Sequence, residues 1–267
     1  MKITVERVEY AEIESMRGLY REEARCQIIH DSALRRSLAD AYLILSDGRR
    51  AGYGGVWNKH YPDRIMEYYL LPEARQMAAP LFRELISASG AADTEAQTNM
   101  PLMLTMLYDY AEEIRVENIL FEDATTTRLC CDGAKFRQSQ PGDGKGENEW
   151  VLEPDGSVAV SLSPGSSSPT RRNDRVLDVG GSIAAWGGVL FHYNPPYGDV
   201  YMQVDEAHRR KGYGSYLVQE LKRVCYEGGH RPAARCNPDN IASRLTLQRA
   251  GFGVCGRMLA GKLRPPS

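Results

Sequence analysis

The sequence contains an internal repeat, and this repeat limits most strongly how the chain can fold. Residues 47–74 ("DGRRAGYGGVWNKHYPDRIMEYYLLPEA") align without a gap with residues 180–207 ("GGSIAAWGGVLFHYNPPYGDVYMQVDEA"). Nine positions are identical, and in the first copy they are Gly48, Ala51, Gly54, Gly55, Val56, Pro62, Tyr68, Glu73 and Ala74. Each copy has the pattern strand, turn, strand, loop, strand. The repeat therefore predicts two units that share one scaffold.

The two copies differ at one point, directly after the aligned stretch. "LFREL" (81–85) matches "LVQEL" (217–221) only when a short gap is opened in the first copy, so the second copy is the longer one. The second copy has at this point the basic glycine turn "RRKGYG" (209–214), between the strand "VYMQV" (200–204) and a helix. The glycine loop is thus expected in the second unit alone.

Periodicity and turn residues predict the remaining elements. Apolar residues at helical spacing predict an amphipathic helix over residues 11–28, and a second helix is predicted over 77–90 with Gly90 as its C-cap. Strands are predicted at 41–46, 52–57 and 63–71. The stretches 137–149 and 161–174 are rich in Ser, Pro and Gly and are expected to be loops or linkers. The expected organisation is a first domain over 1–125, a linker and start of the second unit over 126–175, and a second domain over 176–267.

Composition excludes several classes of protein. The 267 residues are 42% hydrophobic and 25% charged, as in an ordinary globular protein, and the net charge of −2 gives no basic field for nucleic acid. We expect no secretory signal and no membrane span, because neither an apolar leader nor a run of about 18 apolar residues occurs. The six cysteines form no CxxC pair, which predicts reduced thiols, a cytoplasmic location and no metal site.

The glycine loop has the features of an anion site. The N-terminus of a helix presents unpaired N–H groups and partial positive charge. Gly212 and Gly214 allow close approach of a ligand to the backbone, and Arg209, Arg210 and Lys211 add positive charge. The alternative is an ordinary turn from strand to helix with a solvated basic cluster.

A second stretch, "ARCNPDNIASRLTLQRAGFGVCG" (234–256), has an Asn-rich turn, a helix and a Gly-Phe exit into a strand. With Arg209-Arg210-Lys211-Gly212-Tyr213-Gly214, it resembles the two motifs of the GNAT superfamily of N-acetyltransferases, whose loop is Gln/Arg-x-x-Gly-x-Gly/Ala. The resemblance covers roughly residues 176–260. The repeat then implies a tandem of GNAT-like units in which the first is degenerate. The implied fold class is α/β (α+β), with two mixed β-sheets flanked by helices.

The resemblance implies a site for acetyl-CoA in the second unit. The pyrophosphate of the cofactor would lie on the glycine loop, and the pantetheine arm would run beside the fourth strand and bond to its main chain. Asn240 would contact the pantetheine amides, with Asn237 and Ser243 nearby, although Asn237 could also form only a turn and Ser243 could be an exposed helix residue. The residues implied to bind the cofactor are Met202, Val204, Arg209, Arg210, Lys211, Gly212, Tyr213, Gly214, Ser215, Asn237, Asn240 and Ser243.

Two positions depart from the family pattern. Leu247 stands where many members have a Tyr as general acid, and Val200 and Gly198 stand where members often have a Glu or His base. The candidate bases are Asp199, which alternation would point to the other face unless a bulge intervenes, and His192 on the preceding strand. A base that acts through a water chain is a further alternative.

The resemblance implies direct transfer of an acetyl group from the thioester to an amine, with the N–H near Val204 as donor to the oxyanion. A small-molecule or peptide amine is the expected acceptor, and the sequence is compatible with a homodimer. The alternatives are an acyl-CoA-binding or regulatory protein without catalysis, and a phosphate-binding module unrelated to coenzyme A.

Overall fold

A computed structural model describes residues 2–24, 31–138, 151–152, 158–159, 175–179, 182–191 and 195–264. The chain forms two compact units, one of residues 1–119 with 256–267 and one of residues 120–255. The chain passes from one unit to the other inside the strand Ala111–Asp123 and again inside the strand Phe252–Leu263.

This division differs from the predicted boundaries 1–125, 126–175 and 176–267 mainly at the C-terminus. Residues 256–267 belong to the first unit because Met258–Lys262 pair with Asp93–Gln97. Pairing between segments so distant in the sequence leaves no local signal.

The first unit contains strands, α-helices and two 3₁₀ helices. The strands are β1 (Ile3–Val8), β2 (Ala39–Ser46), β3 (Arg49–Trp57), β4 (Arg64–Leu70), β5 (Asp93–Gln97) and the first part of β6 (Ala111–Asp123). The α-helices are α1 (Glu14–Glu23), α2 (Asp31–Arg35), α3 (Ala78–Ser89) and α4 (Pro101–Tyr110), and the 3₁₀ helices are Tyr10–Glu12 and Pro72–Met77.

The second unit continues with the remaining elements. The strands are β7 (Ala134–Gln138), β8 (Val151–Leu152), β9 (Val158–Ala159), β10 (Arg175–Val179), β11 (Ser182–Leu190), β12 (Tyr197–Val204), β13 (Arg231–Cys236) and β14 (Phe252–Leu263), whose end belongs to the first unit. The helices are the 3₁₀ helix Glu206–His208, α5 (Tyr213–Glu227) and α6 (Ile241–Arg249).

In the first unit the strand order is β1-β2-β3-β4-β5-β14, and the ladder between β4 and β5 is parallel while its neighbours are antiparallel. Helices α3 and α4 bury their apolar residues in one core cluster, and Met16 and Tyr20 of α1, with its N-cap Ile13, are buried in another. The helix predicted over 11–28 is confirmed over Glu14–Glu23 as α1, while Tyr10–Glu12 is a 3₁₀ helix and residues 25–28 lie outside the described residues. Gly90 caps α3 with a φ of 67°, as predicted.

In the second unit the strand order is β13-β12-β11-β10-β7, and β12 and β13 are parallel. The apolar side chains on the buried face of α5 include Leu217, Val218, Leu221 and Cys225, all fully buried. The predicted α/β fold class, with mixed β-sheet flanked by helices, is confirmed, whereas the division into two separate sheets is not. Of the predicted loops, Arg137 and Gln138 lie in β7, and residues 139–149 and 161–174 lie outside the described residues.

The repeat corresponds to matching elements. The alignment of the two copies places Arg49–Trp57 on Ser182–Leu190, and it places the start of β4, Arg64, on the start of β12, Tyr197. A Cβ added to Gly54 would lie 2.4 Å from Leu85 Cδ2 in α3. A Cβ added to Gly187 would lie 3.2 Å from Leu221 Cδ1 in α5. The matched glycines thus accept the matched leucines of "LFREL" and "LVQEL".

We expect Gly187→Ala to destabilise the protein by about 3 kcal/mol, because its Cβ would also lie 2.2 Å from the carbonyl oxygen of Tyr201, which side-chain movement cannot relieve. In Gly54→Ala the new Cβ meets side-chain atoms alone, so a smaller destabilisation of about 1–2 kcal/mol is expected. Gly18→Ala in α1, where nothing lies within 4 Å, should stabilise by about 0.5–1 kcal/mol. Urea unfolding of the three variants tests this order, and equal stability of Gly187→Ala and wild type would contradict it.

No described helix is long and apolar enough to cross a membrane.

Candidate active site

The glycine loop lies between the end of β12 and the start of α5. After Val204, the Asp205 side chain accepts a hydrogen bond from the Ala207 N–H at 3.1 Å and begins the 3₁₀ helix. The backbone then takes left-handed conformations at Arg210 (φ 63°) and Gly212 (φ 89°). Gly212 is the N-cap of α5. A glycine is therefore favoured at position 212 by conformation as well as by space.

The N-terminus of α5 is suited to an anion. The first bond of the helix runs from the Tyr216 N–H to the Gly212 carbonyl at 3.1 Å, so the preceding amides have no acceptor within the helix. Among the described residues, no side chain caps α5. The helix is 15 residues long, and Arg209, Arg210 and Lys211 precede it. Backbone amides, helix dipole and basic side chains therefore coincide at one place.

Gly214 and Ser215 are in the first turn of α5 and face the interior. A Cβ on Gly214 would lie 3.0 Å from Val204 Cγ2 and 3.2 Å from Thr246 Cγ2. The absence of a side chain at Gly214 thus lets the helix start approach β12 and α6 closely. Ser215 is buried, whereas Tyr213 is half-buried.

Strands β12 and β13 diverge beside this loop. Their parallel ladder joins Tyr197–Asp199 to Arg231–Ala233 and extends no further along the described strands. Met202 and Val204 lie beyond it and pair on the other side with Gly187 and Ala185 of β11. The opening between β12 and β13 therefore exposes a strand edge to which an extended chain could bond.

The predicted asparagines make local hydrogen bonds. Asn237 Oδ1 accepts from the Asp239 N–H at 2.8 Å, which forms the turn expected as the alternative role of this residue. Asn240 is the N-cap of α6 and its Oδ1 accepts from the Ser243 N–H at 3.0 Å. These bonds use the amide oxygens, so a ligand would be contacted through the amide nitrogens. Leu247 is buried in the core side of α6.

Asp199 lies at the last paired position before the two strands diverge. A Cβ on its neighbour Gly198 would meet Cys225 of α5 at 2.8 Å, so Asp199 points to the opposite face of the sheet. The ladder of β11 and β12 has no register shift, so no bulge reverses this direction. Its side chain is 7% exposed and lies 3.4 Å from Arg235 Nε through Oδ2.

Burial raises the pKa of the Asp199 carboxyl from 3.8 to about 6, and the positive charge of Arg235 opposes this rise. Its other oxygen, Oδ1, is buried and has no hydrogen-bond partner among the described residues. An ionisable group that is buried, poorly satisfied and close to neutral in its pKa is a candidate for proton transfer. The second candidate, His192, lies outside the described residues.

Two family models match the sequence. One, described as an acetyltransferase (GNAT) domain, matches residues 11–124, and the other, described as an FR47-like protein, matches residues 184–258. The chain belongs to the GNAT superfamily. The resemblance of the second half is therefore confirmed, and the first half matches a GNAT domain in its own right.

Solved structures share this GNAT fold over the full length. An acetyltransferase of the GNAT family from Colwellia psychrerythraea is 13% identical, with a TM-score of 0.73 over 98% of this chain and 100% of that one. A tandem GNAT protein from the clavulanic acid biosynthesis pathway is 14% identical, with a TM-score of 0.60 over 100% of both chains. No curated protein matches the sequence. At such low identity these structures establish the fold alone.

The first GNAT unit has no equivalent of the glycine loop. After β4, the 3₁₀ helix Pro72–Met77 leads directly into α3, and no glycine occurs between Leu71 and Ala78. Its opening between β4 and β5 is lined by Tyr20, Met66, Glu95, Ala96, Gln97, Met100, Met103 and Met258. A carboxylate, thioethers and a phenol thus line this opening, in a unit without the phosphate loop.

Two residues of the second GNAT unit were missed by the sequence analysis. The first is Arg235, which pairs with Asp199. Its charge, between the apolar residues Ala234 and Cys236 of a strand, was the signal in the sequence that could have identified it. Lys222 is buried in α5 and its Nζ donates to the carbonyl oxygens of Thr125 and Ala250 at 2.8 and 2.9 Å. Lys222 thereby fixes the segment before β7 to the end of α6. Among the described residues, no cluster of His, Cys, Asp or Glu could hold a metal ion.

Proposed function

We propose that the chain is an acetyl-CoA-dependent N-acyltransferase that moves an acetyl group directly from the thioester to an amine. The observation that carries the proposal is the coincidence, in the second unit, of a glycine loop at an uncapped helix N-terminus with the opening between β12 and β13. The first GNAT unit has the opening without the loop. The proposed acceptor is a small-molecule or peptide amine.

The described residues fit the proposed ligand. Gly212, with its φ of 89°, allows phosphate oxygens to approach the amides at the start of α5, and the basic residues before it supply charge. Met202 and Val204 would bond to the pantetheine arm through main-chain groups, and Asn240 would donate from its amide nitrogen. Tyr213 and Ser215 complete the loop.

Bound acetyl-CoA would supply an activated acetyl thioester. In the proposed mechanism Asp199, on the opposite face of β12 from the family's usual base positions, removes a proton from the acceptor ammonium through water, which makes the amine nucleophilic. The N–H near Val204 donates to the acyl oxygen as negative charge develops. As the C–N bond formed and the C–S bond broke, the second proton of the nitrogen would pass to the departing sulfur or to water. Leu247 cannot protonate the departing thiolate, but a thiol with a pKa of about 8.5 leaves without a general acid. His192 is the alternative base.

We expect acetyl-CoA to stabilise the wild type by about 2.7 kcal/mol at roughly 100 times its Kd. Gly212→Glu should abolish this stabilisation, because it places a carboxylate and a side chain at the phosphate position. Gly229→Glu is the matched control, since Gly229 also has a positive φ (76°) and open space but lies beyond the other end of α5. Thermal unfolding with and without ligand measures the effect. Equal shifts in the two variants would contradict the proposed location.

Transfer itself is tested by amine-dependent release of the coenzyme A thiol. A panel of diamines, amino acids and peptide N-termini should contain acceptors that accelerate thiol release by wild type and leave Gly212→Glu inactive. Leu247 favours a second candidate function, a non-catalytic acyl-CoA-binding protein. Ligand stabilisation without thiol release for any amine would support that second function and overturn the first.

We also propose a cytoplasmic location and no nucleic-acid partner. The described cysteines Cys130, Cys131, Cys225, Cys236 and Cys255 are all free thiols, as expected in a reducing compartment. A homodimer stays compatible with the sequence and is tested by sedimentation.

A further inference from the structure

Asp199 has an asymmetric environment. Oδ2 faces Arg235 Nε at 3.4 Å, and Oδ1 is buried without a hydrogen-bond partner among the described residues. A buried carboxylate with an unsatisfied oxygen costs free energy, so a contribution to stability does not explain Asp199.

The first unit provides a contrast within the same chain. Glu67 of β4 aligns with Val200 in the repeat and is buried, but both of its oxygens are bonded. Arg17 donates to Oε1 at 2.6 Å and to Oε2 at 3.2 Å, and the Tyr53 hydroxyl donates to Oε2 at 3.0 Å. Both oxygens of Glu67 are thus bonded, whereas Asp199 has one ion pair among the described residues, and this pair leaves one oxygen for another group.

Arg235 is the charged side chain that acts on Asp199 among the described residues. The residues directly opposite Asp199 are Leu190 on β11 and Ala233 on β13, which carry no charge. Tyr197 and Tyr201 are the titratable neighbours on the same side of β12. Helix α5 lies on the other face of the sheet.

We propose that Arg235 is a positioning residue that keeps the buried Asp199 carboxyl ionised and oriented for removal of a proton from the acceptor amine. This inference rests on the proposed function. Arg235 projects from β13, one strand away from Asp199, so the pair spans the point where the two strands diverge. A positive charge close to a buried carboxylate offsets part of the cost of desolvation and favours the charged form.

The direct test measures the pKa of Asp199 by ¹³C NMR of the carboxyl carbons, with the signal identified by its absence in Asp199→Asn. In Arg235→Gln the pKa should rise by roughly one to three pH units, and Arg235→Lys should keep it near the wild-type value. Arg231→Gln, on the same strand and exposed, is the matched control and should leave it unchanged. An unchanged pKa in Arg235→Gln, or an equal change in Arg231→Gln, would overturn the proposal.

The pH profile of turnover gives a second readout that mere structural damage would not produce. In Arg235→Gln the acid limb should move to higher pH, with the rate at high pH recovering to that of wild type, and Arg235→Lys should restore the profile. A rate lowered equally at all pH values would show a structural role alone. If Arg235→Gln does not fold, Arg235→Lys is measured instead, and an Asp199 pKa in that variant that differs from the wild-type value would overturn the proposal.

Failure of the wild type to release thiol with any amine would refute the proposed function. The NMR measurement of the Asp199 pKa does not depend on turnover, so its result would be unaffected.

Discussion

Asp199→Asn should lower turnover by about 10²- to 10⁴-fold while acetyl-CoA binding is unchanged, because an amide cannot accept the proton of the acceptor. The glycine loop is separate from Asp199, which lies on the sheet face opposite α5. Steady-state rates and ligand-induced thermal shifts measure the two effects separately. Asp109→Asn, the same change at an exposed residue of the first unit, is the control and should leave both unchanged.

The same substitution should stabilise the protein at pH 8. The pKa of Asp199 is raised in the folded state, to about 6 from 3.8, so the stability it contributes is full below pH 3.8 and is lost as the pH rises through 6. The loss corresponds to roughly 3 kcal/mol. Asp199→Asn should therefore be more stable than wild type at pH 8, and the difference should shrink towards pH 4. Wild-type turnover in Asp199→Asn, or a loss of stability at pH 8, would contradict this account.

Arg17→Met should destabilise the protein by about 3–5 kcal/mol, because it leaves the Glu67 carboxylate buried without its cation. Arg17 is fully buried and Glu67 is 2% exposed. Replacing both residues, in Arg17→Met with Glu67→Leu, should recover most of this loss. Unfolding in urea provides the measurement.

Arg7→Met is the matched control for Arg17→Met. Arg7 and Asp40 also approach to 2.6 Å, but the Arg7 side chain is 66% exposed, so the loss should not exceed about 1 kcal/mol. Equal losses in the two variants would mean that burial does not determine the strength of these ion pairs.

The matching elements of the two copies, the glycine loop and the helices α1 and α3 could be predicted from the sequence because they depend on local patterns. The matched strands β3 and β11 could be predicted because their shared glycines make room for Leu85 and Leu221. The end of α3 could be predicted because glycine is favoured in the left-handed conformation that Gly90 adopts. Such constraints act within a few residues or within one supersecondary unit, so they leave a readable signal.

Other features depend on register between distant strands. Arg235 meets Asp199 only because β13 pairs in parallel with β12, and β14 joins the first unit only because it pairs with β5. Neither pairing is encoded in the residues near Arg235 or Met258. The polar environment of Glu67 was also missed, because Arg17 lies in a helix 50 residues away.

We propose that the second unit alone binds acetyl-CoA. Titration calorimetry of the full chain tests this, because it counts sites as well as measuring affinity. One acetyl-CoA per chain, lost in Gly212→Glu and kept in Gly229→Glu, is the predicted result. Two acetyl-CoA per chain, or one that survives Gly212→Glu, would contradict it.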